Sequence, residues 1–289
     1  MHNLCLSNVF SILKKRPEES NKGDYGTLLS ICGSAYYRGA AGLSAIGALR
    51  TGVGILRVAT TEKVIVPLSS LAPEAVFLPL AEGEKGEIGS FDTKTYFREF
   101  PKTSAVLCGC GITTFGAVPE IVRDITVNAP CPLVLDADAL NSLANNKEIL
   151  LEAKNEVIIT PHIGEFSRLC GVDIGEIKNN IPKYGKEFAK KYGVILILKG
   201  SNIHIFYRDS VYVSNFGNAG LARGGSGDIL AGMTASFVAQ GYSGIEAAIC
   251  ACVLHQCAAD RTAKRLSIQG MLPHDIIYDL CEIFKEEGY

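Results

Sequence analysis

Short apolar runs rich in β-branched residues recur along the chain, separated by stretches whose apolar positions repeat every three to four residues. Leu28–Cys32, Ile55–Ala59, Ala105–Cys108, Leu133–Asp136, Val157–Thr160 and Ile195–Lys199 have the period and length of strands. Ala40–Thr51, Val118–Asn128, Ile163–Cys170 and Ile174–Tyr192 have those of helices. Alternation of this kind predicts an α/β fold: successive parallel strands need a crossover between them, so a central, mostly parallel sheet is covered by helices on both faces. After Lys199 the pattern shortens to Ile203–Phe206 and Val211–Ser214 about a turn at Arg208-Asp209, a hairpin. Three helical segments close the chain: Asp228–Gln240, the Ala-rich Gly244–Lys264 and Leu272–Glu286. No repeat, low-complexity tract or Pro/Gly/Ser-rich linker divides it. The expectation is one domain over residues 1–289, with 1–20 as an N-terminal extension or helix.

Composition narrows the class. At 289 residues the chain is near the size at which one hydrophobic core stops growing, and 47% hydrophobic with 20% charged residues is globular. A net charge of −2 without a basic stripe gives no field for a nucleic-acid backbone, so no nucleic-acid partner is expected. The apolar runs fall far short of the roughly 20 residues that span a bilayer. In the first 20 residues the Lys-Arg group follows the apolar part and no small-residue cleavage site is present, so a signal peptide is not expected and the cytoplasm is. The 10 cysteines contain no C-x-x-C pair and lie in apolar settings, which reads as buried small hydrophobes and not as a zinc or redox motif.

In open α/β sheets ligands bind beyond the carboxyl ends of the strands, and here those ends carry polar, Gly-rich motifs: GSAYYRGAAG (33–42), GCGI (109–112), DADALN (136–141), TPHIGE (160–165), KGSN (199–202) and, after the hairpin, GNAGLARGGSGD (217–228). The last is the most informative. Gly224, Gly225 and Gly227 permit positive φ and close approach of a ligand, the following helix start offers unpaired N–H groups, and Asp228 stands in its first turn. An acid beside an anion cradle suggests a general base acting on a hydroxyl that attacks phosphorus; the alternative is an ordinary Gly-rich turn. GSAYYRGAAG does not fit G-x-G-x-x-G and no Walker motif occurs. Gly39, Ala40 and Ala41 admit either close helix packing or the approach of a flat ring. Asp136 and Asp138 could face a metal-bound phosphate, although Asp138 reads first as an N-cap of the helix through Leu140 and Leu143. His162 is either a structural residue or a ligand contact. Lys199 is either a phosphate-binding charge or a solvated end. His204 and His255 fall within strand and helix patterns and read as structural; His2 and His274 give no signal.

Together KGDYGTLLSICGS (22–34), LDADALN (135–141), TPHIGEF (160–166), LKG (198–200) and GNAGLARGGSGDILAG (217–232) resemble the ribokinase-like superfamily and, within it, the ADP/ATP-dependent (S)-NAD(P)H-hydrate dehydratases, also known as the YjeF C-terminal family. The resemblance runs over nearly the whole chain. It implies a ribokinase-like fold and dehydration of hydrated NADH or NADPH (NAD(P)HX) by phosphorylation of the ring hydroxyl and elimination of phosphate. ADP (in eukaryotic members ATP) would be the donor and Mg²⁺ the cofactor. On that analogy Asp228 is the base, and Gly225, Ser226 and Gly227 hold the migrating phosphoryl group. Ala40, Ala41, Gly111, His162 and Asp228 would line the hydrate site; Lys199, Gly200, Ser201, Asn202, Ile203 and Gly227 would contact the nucleotide. Relatives form tetramers, which implies a homo-oligomer, and with about 20 residues ahead of the first motif an epimerase would be a separate partner. Ile163 stands where the family usually has Pro, and Ile203 where a Thr often follows the KG turn. A second reading is a ribokinase-like kinase of a small vitamin precursor.

Overall fold

The structure, a computed structural model, describes residues 1–289. Ten strands, β1 (His2–Asn3), β2 (Thr27–Ile31), β3 (Ile55–Thr61), β4 (Val76–Leu80), β5 (Ala105–Cys108), β6 (Leu133–Leu135), β7 (Val157–Ile159), β8 (Ile195–Leu198), β9 (Ile203–Tyr207) and β10 (Ser210–Ser214), form one sheet in the order β1-β10-β9-β8-β7-β6-β5-β2-β3-β4. All neighbours are parallel except β8–β9 and the β9–β10 hairpin. The helices are α1 (Leu6–Ile12), α2 (Arg38–Thr51), α3 (Glu62–Leu71), α4 (Thr93–Glu99), α5 (Val118–Asn128), α6 (Asp138–Leu143), α7 (Ile163–Cys170), α8 (Ile174–Asn179), α9 (Ile181–Tyr192), α10 (Ser226–Ala239), α11 (Gly244–Leu266) and α12 (Ile276–Glu286).

Side chains alternate across each strand, so the sheet feeds two cores. Leu28, Leu107, Val134, Ile158 and Ile197 pack under α2, α10 and α11; Leu29, Val106, Leu135, Ile159 and Leu196 pack against α5, α6, α7 and α9. The small residues of α2 have a visible purpose. A Cβ on Gly47 would come within 2.7 Å of the Ile229 carbonyl, and one on Gly232 within 2.1 Å of the Ser44 carbonyl, so α2 and α10 cross backbone against backbone. That seats the start of α10 over the sheet.

The structure departs from the sequence pattern at several places, the unexpected helices α3 and α4 among them. β4 was not expected because Pro79 and partial exposure disguise VFLPL; it is an edge strand, where a missing N–H is tolerated. The helix expected over Ile174–Tyr192 is two, because Pro182 demands a first-turn position: Asn180 ends α8 and its side chain accepts the Lys183 N–H to start α9. The chain fills the sheet from β2 outward in both directions, with β3 and β4 on one side and β5 to β8 on the other, so the switch point lies between β2 and β5.

Candidate active site

β6, β7 and β8 are adjacent and parallel, so the residues just past their ends meet. Asp136 is buried there, and its Oδ1 accepts Thr160 Oγ1 at 2.7 Å and Lys199 Nζ at 2.7 Å. The Lys199 N–H binds the Pro161 carbonyl at 2.9 Å, joining the TPH and KG turns. Lys199 therefore neither runs out to solvent nor stands free: it is paired to Asp136. Burial works against its charge, yet Asp136 and Glu165 raise its pKa. Burial raises Glu165 as well, against the pull of Lys199.

The Gly-rich loop is pinned from α11. Asp260 accepts the Gly217 N–H at 2.9 Å and the Asn218 amide at 3.0 Å, while Asn218 Oδ1 takes the Gly220 N–H at 2.9 Å. Gly225, at φ +99°, turns the chain into α10; Gly224 and Gly227 keep ordinary φ. Of the amides expected to cradle an anion, that of Ser226 donates to the Arg223 carbonyl at 3.3 Å, whereas those of Gly225, Gly227 and Asp228 have no acceptor in the protein. Asp228 follows in the first turn. Burial, reinforced by Asp136 and opposed by Lys199, pushes its carboxyl up to about 7. Acceptor atoms of Asp136 and Asp228 and the Cys110 sulfur lie within 4.8 Å of one another. A Cβ on Gly227 would sit 3.0 Å from Lys199 Nζ, so the helix start lies directly over the Lys199–Asp136 pair.

A cavity of about 820 Å³ opens over this group. Of the sequence-predicted residues, His162, Lys199, Gly200, Ser201, Ile203 and Gly225 to Asp228 line it. Asn202 does not; it is exposed in the β8–β9 turn. Ile163 opens α7 and Ile203 opens β9, both against the cavity. His162 has a structural role and also stands at the cavity. It caps α7, Nδ1 accepting the Gly164 N–H at 2.9 Å, and its ring edges the cavity. Asp138 is not an N-cap. Ala137, at φ +48°, holds that position, and the Asp138 carboxylate takes the Thr113 N–H at 2.9 Å. Ala40 and Gly111 meet at the β2/β5 switch point, away from the cavity lining: a Cβ on Gly111 would be 2.8 Å from that of Ala40. Ala41 is fully buried behind Gly33.

The motif reading missed two places. A groove of about 480 Å³ is lined by Thr114, Asp138, Asn141 and Arg168; its sequence signal was the strand-end motif 136–141, which holds Asp138 and Asn141. His255 and Gln256 of α11 line the main cavity, although His255 read as structural. A polar pair in the apolar stretch from Ala247 to Ala259 was the available signal.

The family model described as NAD(P)H-hydrate dehydratase matches residues 28–281. The chain belongs to that family. It is 33% identical to the ADP-dependent (S)-NAD(P)H-hydrate dehydratase of Bacillus subtilis over 96% of each chain. It is also 33% identical to the bifunctional NAD(P)H-hydrate repair enzyme of Escherichia coli, covering 95% of this chain and 50% of that protein, so it spans about half the length of such bifunctional relatives. Among solved structures, the Bacillus subtilis ADP/ATP-dependent NAD(P)H-hydrate dehydratase co-crystallised with ATP/Mg²⁺ aligns with TM-score 0.82 at 30% identity, covering 98% of this chain and 97% of that one. Family membership favours a dehydratase over the vitamin-precursor kinase reading, and the ribokinase-like fold accords with the sheet order.

Proposed function

We propose that this family member dehydrates the (S)-hydrates of NADH and NADPH with ADP as phosphoryl donor, within one ribokinase-like domain. The observation that carries the reading is Asp228: an acid tuned to about 7 next to three unpaired amides at the mouth of an 820 Å³ cavity. Its carboxylate takes the proton of the ring hydroxyl as that oxygen bonds to the donor's terminal phosphorus and AMP leaves. The amides of Gly225, Gly227 and Asp228 hold the phosphoryl oxygens where negative charge develops. Phosphate is a far better leaving group than hydroxide. The ring nitrogen's lone pair expels it, the C–O bond breaks, and loss of a proton from the neighbouring ring carbon restores the dihydronicotinamide.

On this reading Lys199, Gly200, Ser201 and Ile203, all lining the cavity, contact the nucleotide, with Asn202 in the exposed turn beside them, and His162 with Asp228 contacts the hydrate; Ala40 and Gly111, outside the cavity lining, and the buried Ala41 enter the hydrate site only by the family likeness. Asp136 Oδ2 and the Asp228 carboxylate supply oxygens of the kind that fit Mg²⁺, which retains waters and rides on phosphates, whereas the Cys110 thiol does not suit it. When bound, Mg²⁺ would neutralise phosphate charge. Ten free cysteines fit a reducing compartment such as the cytoplasm. A homotetramer, and an epimerase acting alongside it, follow from the family likeness. The test is recovery of the reduced-nicotinamide absorbance from chemically hydrated NADH with ADP or ATP, with product analysis for free phosphate. A stable phosphorylated product would replace this reading with a kinase.

A further inference from the structure

At the opposite end of α10 from Asp228 lies a second pocket, of about 200 Å³. α10 is 14 residues long, about 20 Å, so this pocket is remote from the catalytic cavity. Its floor is aromatic. Phe237 and Tyr242 come from the end of α10 and the turn after it, Phe284 from α12, and Tyr289 from the last residue. Beside these rings stand Lys14, Arg16 and Arg50, and no acidic residue contributes to the lining.

The fold uses these cations only in part. None of the three joins an ion pair. The carbonyls that end α2 would repel an anion, but they are covered: Arg16 donates to the Gly52 carbonyl, and Gln240 Nε2 to the Thr51 carbonyl at 3.1 Å. Arg16 is thereby accounted for, its guanidinium also stacking on Tyr25 at 3.8 Å from the ring centroid. Lys14 is placed without being neutralised. Its backbone N–H donates to Tyr242 Oη at 3.0 Å, and its ammonium lies 5.3 Å from the centroid of the same ring. Arg50 stands in the last turn of α2, where the helix dipole favours a cation but supplies no carboxylate to pair with it.

An aromatic floor with unpaired positive charge at its edge calls for a ligand that joins a flat apolar body to a negative group, because neither half alone would use both features. About 200 Å³ is below the size that takes drug-sized ligands, which limits the body to a small ring. We infer that this pocket binds a small ring-bearing phosphomonoester, the ring against Tyr242 and Tyr289 and the phosphate held by Lys14 and Arg50. The inference does not depend on the proposed function. Phenyl phosphate is the probe, titrated by calorimetry into the full chain with ADP present to fill the catalytic cavity. It binds at one site, about tenfold or more tighter than inorganic phosphate, which lacks the ring, or phenol, which lacks the charge. Replacing both cations (Lys14→Gln with Arg50→Gln) weakens it by about tenfold or more while the melting temperature stays near wild type, since both side chains are exposed and outside any ion pair. The ring NMR signals of Tyr242 and Tyr289, assigned by their loss in Tyr242→Phe and Tyr289→Phe, move on adding the probe. Absence of binding, binding that ADP abolishes, unchanged affinity in the double variant, or tyrosine signals that stay fixed at saturation overturns the inference and leaves the proposed function untouched.

Discussion

Replacing Asp228 by Asn keeps the shape of the side chain and removes its ability to take a proton. A positioned general base contributes about 10²–10⁴-fold, so kcat falls by that factor. The amides of Gly225, Gly227 and Asp228 remain, and ADP affinity changes by no more than a few fold. The raised carboxyl adds a pH signature. With a pKa of about 7 in the folded chain against an ordinary aspartate value of 3.8, roughly half the molecules carry the base form at pH 7 and about a hundredth at pH 5. Wild-type kcat/KM therefore drops about tenfold per pH unit below 7 and levels off above it. Stability runs the opposite way. Between 3.8 and about 7 the folded chain binds more protons at this site than the unfolded chain, so this site's contribution to stability declines as pH rises through that window. Asp228→Asn, free of that charge, is more stable than wild type at pH 8 by on the order of 1–3 kcal/mol, and about equal at pH 4. The assays are recovery of reduced-nicotinamide absorbance from hydrated NADH, calorimetry with ADP, and thermal melts at both pH values. A variant keeping more than a tenth of wild-type kcat, or a wild-type profile flat from pH 5 to 8, refutes the assignment.

Three further outcomes follow from the same geometry. Lys199→Met leaves the buried Asp136 carboxylate without a cation, held only by the Thr160 hydroxyl and the Cys110 thiol, which costs on the order of 3 kcal/mol and raises the KM for ADP; a denaturant melt of near wild-type midpoint counts against the pairing. Gly225→Ala places a side chain at φ +99° with its Cβ 2.4 Å from Leu43 Cδ1, so it destabilises by about 1–3 kcal/mol and displaces the α10 amides, read as a lower melting temperature together with weaker ADP binding. All ten cysteines are free, so dithiothreitol leaves the melting temperature unchanged, and a shift of several degrees would reveal a disulfide.

The sequence pattern carried the six parallel strands, the hairpin and the α10 start because period and turn chemistry agree there. It lost β4 and the break at Pro182 because each is decided by context: the edge position that tolerates Pro79, and the cap supplied by Asn180. At the site, residues on one motif were legible, but partnerships between motifs were not. Nothing local tells that Lys199 turns onto Asp136, 63 residues earlier, since that contact exists only because β6, β7 and β8 lie side by side. His255 was hidden for a related reason. Its helical surroundings are apolar, and only the fold brings that residue to the cavity wall.

That partnership also explains how two acids so close together divide the work. Asp136 Oδ1 is held by a lysine and a threonine hydroxyl, so this carboxylate is engaged as the anchor of Lys199 beneath α10. Asp228 has no hydroxyl or cationic donor on its carboxylate and sits on the open side, where burial and the charge of Asp136 make proton uptake easier. Pairs of acids whose surroundings push them apart in this way mark the group that moves the proton. The same logic sets an order of severity. Asp136→Asn weakens the lysine's anchor, lifting the pressure on Asp228 and moving its pKa down. The acid limb of the kcat/KM profile then shifts to lower pH, even where the maximal rate falls because Lys199 is misplaced. An acid limb that stays at about 7 in Asp136→Asn would mean that burial alone tunes Asp228, and that Asp136 serves only to hold the lysine.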